Sequence, residues 1–283
     1  MKTPIYPCLW FDGNAKEAAV FYTSVFKNGR ITTDTPMVVN FELGGQKFMG
    51  LNGGPQFKPN PSISFFVVFE NEKETEKAWQ KLQEGGQVLM ALDKYDWSEK
   101  YGWVQDKFGI NWQLSYGKLD DVGQNFTPVL MFTQNVAGKA EEAIDFYSSV
   151  FPDSSTVGIL RYSAQDHDQE GLVKHAQFRL GGNVFMAMDS TLDHAFTFSE
   201  GISLVVECKD QQEIDHYWNA LTQNGEESMC GWLKDPYGVS WQIVPAVIGE
   251  LMSDPQKAPG VMDALMGMKK LNMDELVRAY EHG

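Results

Sequence analysis

The segment Phe21-Tyr22-Thr23-Ser24-Val25-Phe26 returns later in the chain as Phe146-Tyr147-Ser148-Ser149-Val150-Phe151, with only Thr23 and Ser148 differing. The echo continues in order. Phe41-Glu42-Leu43-Gly44-Gly45 returns as Phe178-Arg179-Leu180-Gly181-Gly182, and Gly102-Trp103-Val104-Gln105-Asp106 as Gly231-Trp232-Leu233-Lys234-Asp235. Trp112-Gln113 returns as Trp241-Gln242. The offset between matched residues drifts, as loop insertions between fixed elements would make it do. A repeat of roughly 125 residues is too long for a solenoid unit and has the size of a domain. The chain therefore reads as a duplicated domain, and any functional residue in one copy can be checked against its counterpart in the other.

Composition narrows the possible partners. A chain of 283 residues with 43% hydrophobic content can bury two ordinary cores. Against 23 Lys and Arg stand 38 Asp and Glu, a formal charge of −15. This balance argues against nucleic acid, whose binding needs clustered cations, and against anionic membrane surfaces. The N-terminal residues carry no apolar signal core, and no run approaches the roughly 20 apolar residues of a membrane span. Cys8, Cys208 and Cys230 form no CxxC spacing. An odd, scattered cysteine set fits a reducing compartment, so a cytoplasmic protein is expected.

Pro7–Phe11 reads as a strand, and Ala15–Phe26 as a helix with Asn14 as its cap. Strands at Met37–Leu43 and Gln46–Leu51 flank Gly44-Gly45, a two-residue hairpin signal. Ser62–Glu70 is another strand, and Glu72–Glu84 a helix ended by Gly85-Gly86. Val88–Leu92, Tyr101–Gln105 and Ile110–Tyr116 complete the copy. The expected fold class is α+β, with two tandem copies. Each copy holds two β-α-β-β-β half-modules that curve a mixed sheet around a cup, helices on the outer face. The expected boundaries are 1–116 for the first domain, 117–126 for a linker, 127–247 for the second domain and 248–283 for a helical tail.

The segments Leu9-Trp10-Phe11-Asp12-Gly13-Asn14-Ala15-Lys16-Glu17-Ala18 and Gly231-Trp232-Leu233-Lys234-Asp235-Pro236-Tyr237-Gly238 through Trp241-Gln242 narrow the reading. With them the chain resembles the vicinal oxygen chelate superfamily, which includes glyoxalases, extradiol dioxygenases and bleomycin-resistance proteins. Within it the chain is similar to the PhnB-like branch, also called 3-demethylubiquinone-9 3-methyltransferase-like. The methyltransferase label does not follow from the residues. Methyl transfer from S-adenosylmethionine usually needs a Gly-rich strand-to-helix loop, whereas Gly44-Gly45 and Gly85-Gly86 suit a hairpin and a helix cap.

The resemblance implies metal ligands on the cup face. Its ligand positions fall on Tyr6, Ser64 and Gln113 in the first copy, and on Thr127, Ser203 and Gln242 in the second. None is His, Asp, Glu or Cys, the donors a transition metal requires. No metal and no cofactor is expected. The five histidines, with His175 the one borne on a strand, do not fall on these positions.

Strand alternation places Tyr6, Cys8 and Trp10 on the cup face, together with Ser64, Asn111 and Gln113, and Ser203, Ser240 and Gln242. Asp189, whose counterpart is Asn52, joins the expected ligand-binding set. Glu207 shares the face of Ser203 and is the candidate general base; an apolar cup would raise its pKa into a useful range. Trp103, Trp232 and Tyr237 are further candidates for the wall. The reading that emerges is a metal-free protein that binds a small organic molecule in a cup. An enzyme using Glu207 or the Cys8 thiol is the alternative. Either would act as a monomer forming a pseudo-dimer, or as a homodimer.

Overall fold

The computed structural model describes residues 3–282, so Met1, Lys2 and Gly283 of the expected terminal segments lie outside the described residues. The first copy runs β1 (Ile5–Phe11), α1 (Ala15–Val25), β2 (Arg30–Asp34), β3 (Val38–Leu43), β4 (Gln46–Asn52), then β5 (Ile63–Phe69), α2 (Glu72–Gln83), β6 (Gln87–Tyr95), β7 (Ser98–Gln105) and β8 (Asn111–Tyr116). After a short α3 (Leu119–Val122), the second copy repeats the order. Its first half-module is β9 (Phe126–Phe132), α4 (Ala140–Val150), β10 (Ser155–Arg161), β11 (Val173–Leu180) and β12 (Asn183–Asp189). Its second is β13 (Ile202–Cys208), α5 (Gln211–Leu221), β14 (Glu226–Glu227), β15 (Trp232–Lys234) and β16 (Ser240–Pro245). The tail forms α6 (Ile248–Leu251), α7 (Ala258–Met266) and α8 (Met273–His282).

Local chemistry explains most of these boundaries. Gly44 and Gly45 both take positive φ (55° and 82°), as a tight hairpin turn between β3 and β4 requires. Asn71 caps α2 by accepting from the Glu74 amide, and Asp210 caps α5 by accepting from Glu213. Asn14 precedes α1 but makes no side-chain cap; Asn52 Oδ1, arriving from the end of β4, accepts from the Ala15 amide at 2.9 Å instead. β2 carries no apolar alternation because it is an edge strand, exposed at nearly every position, and periodicity does not reveal it.

Strand pairing joins the copies in a way that their sequence order does not reveal. One eight-stranded sheet runs β14-β15-β16-β13-β1-β4-β3-β2, and the other β10-β11-β12-β9-β5-β8-β7-β6. Each sheet therefore takes one half-module from each copy. The junctions are antiparallel, with Cys8 opposite Ser203 and Ser64 opposite Val129. Packing beneath the sheets follows the opposite rule. Tyr22 of α1 meets Trp112 of β8 at 5.2 Å between centroids, and Tyr147 of α4 meets Trp241 of β16 at 5.6 Å. The half-modules of one copy thus share a core through their helices, while the cups are built across copies.

The repeated Asp-x-x-Gly turn anchors that core. Asp235 accepts from Trp241 Nε1 (2.8 Å), Tyr147 Oη (2.7 Å) and the amides of Tyr237 and Val239. Asp106 does the same for Trp112 Nε1 (2.7 Å) and the amides of Phe108 and Ile110. The tail docks on its own chain through Leu251, Val261, Leu271 and Leu276, and its backbone accepts from the amides of Cys230 and Gly231. Among the described residues no helix is long and apolar enough to cross a membrane.

Candidate functional site

The concave face of the first sheet gathers residues from both copies. One row crosses Trp232, Gln242, Val205 and Tyr6 as register neighbours; the next crosses Ser240, Ser203, Cys8 and Met49. Leu9 and Phe11 point the other way, into the helical core, so alternation turns Cys8 and Trp10 toward the cup. Gln242 Nε2 donates to Ser203 Oγ at 2.9 Å. Cys8 is buried beside them, and loss of solvent pushes its thiol up to about 12, so it is a neutral wall group at neutral pH.

At one end of this face Trp10 is anchored by the backbone behind it. Its Nε1 donates to the Gly54 carbonyl at 2.7 Å. A Cβ on Gly53 would stand 2.1 Å from the indole ring, so only glycine lets the backbone pass so close behind it. Phe57 and Trp232 stand edge-on to Trp10, with centroids at 5.0 and 5.9 Å and interplanar angles of 84° and 77°. These rings, with Ser240, Cys230 and Glu226, help line a cavity of about 290 Å³. Ser240 Oγ is buried there without a hydrogen-bond partner. Lys234, on the same wall, pairs with Glu200 at 2.9 Å.

The second sheet repeats the frame but not the contents. Gln113 Nε2 donates to Ser64 Oγ at 2.8 Å, and Tyr101 Oη donates to Gln113 Oε1 at 2.7 Å. Trp103, beside Gln113 in the ladder, matches Trp232. However, Thr127, Val129 and Met131 stand where the first sheet has Tyr6, Cys8 and Trp10, and Asn111 stands for Ser240. Thr127 Oγ1, Asn111 Oδ1 and Trp103 Nε1 are buried without partners.

Three expected site residues lie elsewhere. Asp189 does not face a cup: its carboxylate accepts from the amides of Gly138, Ala140 and Val173, fastening the start of α4 as Asn52 fastens α1. Glu207 leaves the apolar cup and meets Lys47 Nζ at 2.5 Å and Tyr6 Oη at 2.9 Å. Lys47 also sits 4.1 Å above the Tyr6 ring. This cluster borders a separate depression between the sheets, lined in part by Pro128, Gln124 and Phe185. The premise for a general base, a carboxylate among apolar groups, is thus replaced by an ion pair. Burial and the neighbouring Glu207 carboxylate hold the Tyr6 phenol far above its ordinary value. Tyr237 packs under the sheet against Phe132, Phe146 and Tyr147. His175 is exposed on β11. Phe57, Gly53 and Lys47 escape the sequence reading; Phe57 lies in a loop with no periodicity to mark it.

The donor set does not fit a transition metal. Tyr6, Ser203 and Gln242, the positions on which the resemblance would put metal ligands in this cup, are neutral groups, and Gln242 and Ser203 are already bonded to each other. Among the described residues no group of three or more His, Cys, Asp or Glu side chains that could hold a metal ion comes together.

With this geometry in hand, comparison places the chain. The profile of the family 3-demethylubiquinone-9 3-methyltransferase matches residues 3–115 and again 124–244. The chain belongs to this family. Both matches follow the duplication, one for each copy. No curated protein matches. Among solved structures, the PhnB protein of Bacillus cereus is 34% identical, covering 41% of this chain and 98% of its own, with a TM-score of 0.37. Glyoxalase I of Zea mays shares 13% identity over 87% of this chain and 92% of its own, with a TM-score of 0.57. A protein of Bacillus subtilis described as a dioxygenase shares 12% identity over 87% of this chain and 85% of its own, with a TM-score of 0.51. The last two likenesses show the shared vicinal oxygen chelate fold.

Proposed function

We propose that the chain binds a small organic molecule, without a transition metal, on the concave face of the first sheet. The observation that carries this reading is the mouth of that cup. Trp10 is fixed from behind by Gly53 and Gly54 and stands edge-on to Phe57 and Trp232, beside a buried hydroxyl, Ser240, that lacks a partner. Aromatic walls with a few placed polar groups are the usual make-up of a small-molecule site. An unpartnered buried hydroxyl costs free energy that a ligand or a water would recover. The second cup has Met131 and Val129 where the first has Trp10 and Cys8, so the aromatic mouth is absent there and one ligand per chain is expected.

Methyl transfer, the activity in the family's name, finds no supporting loop. Gly44-Gly45 forms the β3–β4 turn, and Gly85 takes positive φ just beyond α2. Native mass spectrometry of the full chain, exposed to a small-molecule library, tests the binding reading. A single adduct per chain that Trp10→Leu and Trp232→Leu remove, with the melting temperature preserved, supports it. Adducts that survive both substitutions would place binding elsewhere. Stoichiometric zinc, manganese, nickel or iron in protein purified without a metal-affinity tag would overturn the metal-free part.

A further inference from the structure

We infer that the molecule held in this cavity is a compact organic cation, an ammonium or alkylammonium head on a small apolar body. This rests on the binding reading above and adds the charge of the ligand. Three aromatic rings at steep angles to one another form the walls (84° for Trp10 with Phe57, 77° for Trp10 with Trp232). Edge-on packing covers one face in each pair, and any face left toward the cavity would attract a cation within about 6 Å of its centroid.

The charge on the wall agrees. Glu226 and Lys234 are register partners on β14 and β15, so their side chains share the concave face. Lys234 is already committed to Glu200 at 2.9 Å, which leaves the Glu226 carboxylate with no ion pair among the described residues. Glu227 also borders the cavity, but its carboxylate is committed on the other face, where it accepts from Trp218 Nε1 at 3.1 Å and pairs with Lys269 at 3.6 Å. With Glu227 offset by Lys269, Glu200 and Glu226 stand against Lys234, and the excess charge is negative. Ser240 Oγ supplies a neutral hydrogen-bonding group deeper in. An anionic ligand would meet the unpaired negative charge of Glu226. The volume, about 290 Å³, lies at the small end of ligand pockets and suits a compact molecule.

Three probes of nearly identical shape separate the possibilities: choline, its uncharged isostere 3,3-dimethylbutan-1-ol, and the anion 3,3-dimethylbutanoate. Each is titrated into the full chain at low salt and followed by the indole Nε1–H signals. Choline is expected to bind about tenfold tighter than the alcohol, as cation–π attraction and one nearby carboxylate imply, and the butanoate more weakly than either. Glu226→Gln, at an exposed position, should weaken choline roughly threefold, the order expected of one solvent-screened charge, and leave the alcohol unchanged. Trp232→Leu should remove both. Equal binding of choline and the alcohol, both lost in Trp232→Leu, would overturn the cation assignment while leaving the binding reading intact. Tightest binding by the butanoate, or no response to choline at all, would also overturn it. Choline binding untouched by Trp232→Leu would sink both readings.

Discussion

If each cup is built across copies, cutting the chain between them should not separate them. A protease site inserted in α3, within Leu119–Val122, allows the folded protein to be nicked where its surface is open and where no core residue lies. The halves would then be held by the β1–β13 and β5–β9 junctions and by side-chain contacts beside them, such as Trp10 with Trp232 and Lys47 with Glu207. Tyr6, Leu9, Ile202, Leu204, Val205 and Val206 line the first junction, and Ile63, Phe65, Val67, Phe126, Val129 and Leu130 the second; all are buried. Each such side chain is worth about 1.5–3 kcal/mol when fully buried. Exposing roughly half of each costs on the order of 13 kcal/mol. The two antiparallel ladders add about 10 kcal/mol, taking roughly 1 kcal/mol net per hydrogen bond. Association consumes roughly 4–15 kcal/mol of this. A remainder on the order of 10 kcal/mol corresponds to a dissociation constant below micromolar. Nicked protein at micromolar concentration should therefore elute from a sizing column at the position of the intact chain, with unchanged circular dichroism. Two separate, folded, monomeric halves would refute the shared-sheet argument.

Three further outcomes follow from the same geometry. Glu207→Gln should lower the melting temperature by roughly 2–6 °C, because it removes a partly exposed ion pair with Lys47 and weakens the acceptor for buried Tyr6, together about 1–2 kcal/mol; an unchanged melting temperature with a lost ligand adduct would restore Glu207 to the site. Burial raises the Asp235 carboxyl to about 6, above its value in the unfolded chain, so the native state holds the extra proton between about pH 4 and pH 6. Its contribution is complete below that window and falls as pH rises through it, so the stability gap between wild type and Asp235→Asn should be larger at pH 4 than at pH 7, and a gap that grows with pH would contradict the assignment. Native alkylation at pH 8 should label half-exposed Cys230 well before Cys8, whose thiol is buried and pushed up to about 12; rapid labelling of Cys8 would show that the cup opens.

Much of this was legible in the sequence because it depends on local rules. The duplication, the helices, the β3–β4 turn and the facing of Cys8, Trp10, Ser203 and Gln242 follow from motif order and strand alternation. What the sequence hides is non-local. Which half-module pairs with which depends on sheet edges that carry no signal of their own, so the union of Tyr6 with Glu207 and Lys47 was invisible. Asp189 reads as a polar group at the end of a cup strand, but its position at the last residue of β12 lets it reach the start of α4. Phe57 and Gly53 matter through a loop that folds back over Trp10, which no periodicity encodes.

The central claim is that one small molecule binds between Trp10, Phe57 and Trp232. The most direct measurement is the set of indole Nε1–H resonances of the full chain, assigned by single Trp→Phe substitutions and followed as a retained molecule is added. The account predicts that the Trp10 and Trp232 signals shift together and saturate at one equivalent. Signals from Trp112, Trp218 and Trp241, buried among the helices, should stay in place. Saturable shifts at Trp103 of the second sheet, with Trp10 and Trp232 unmoved, would contradict it.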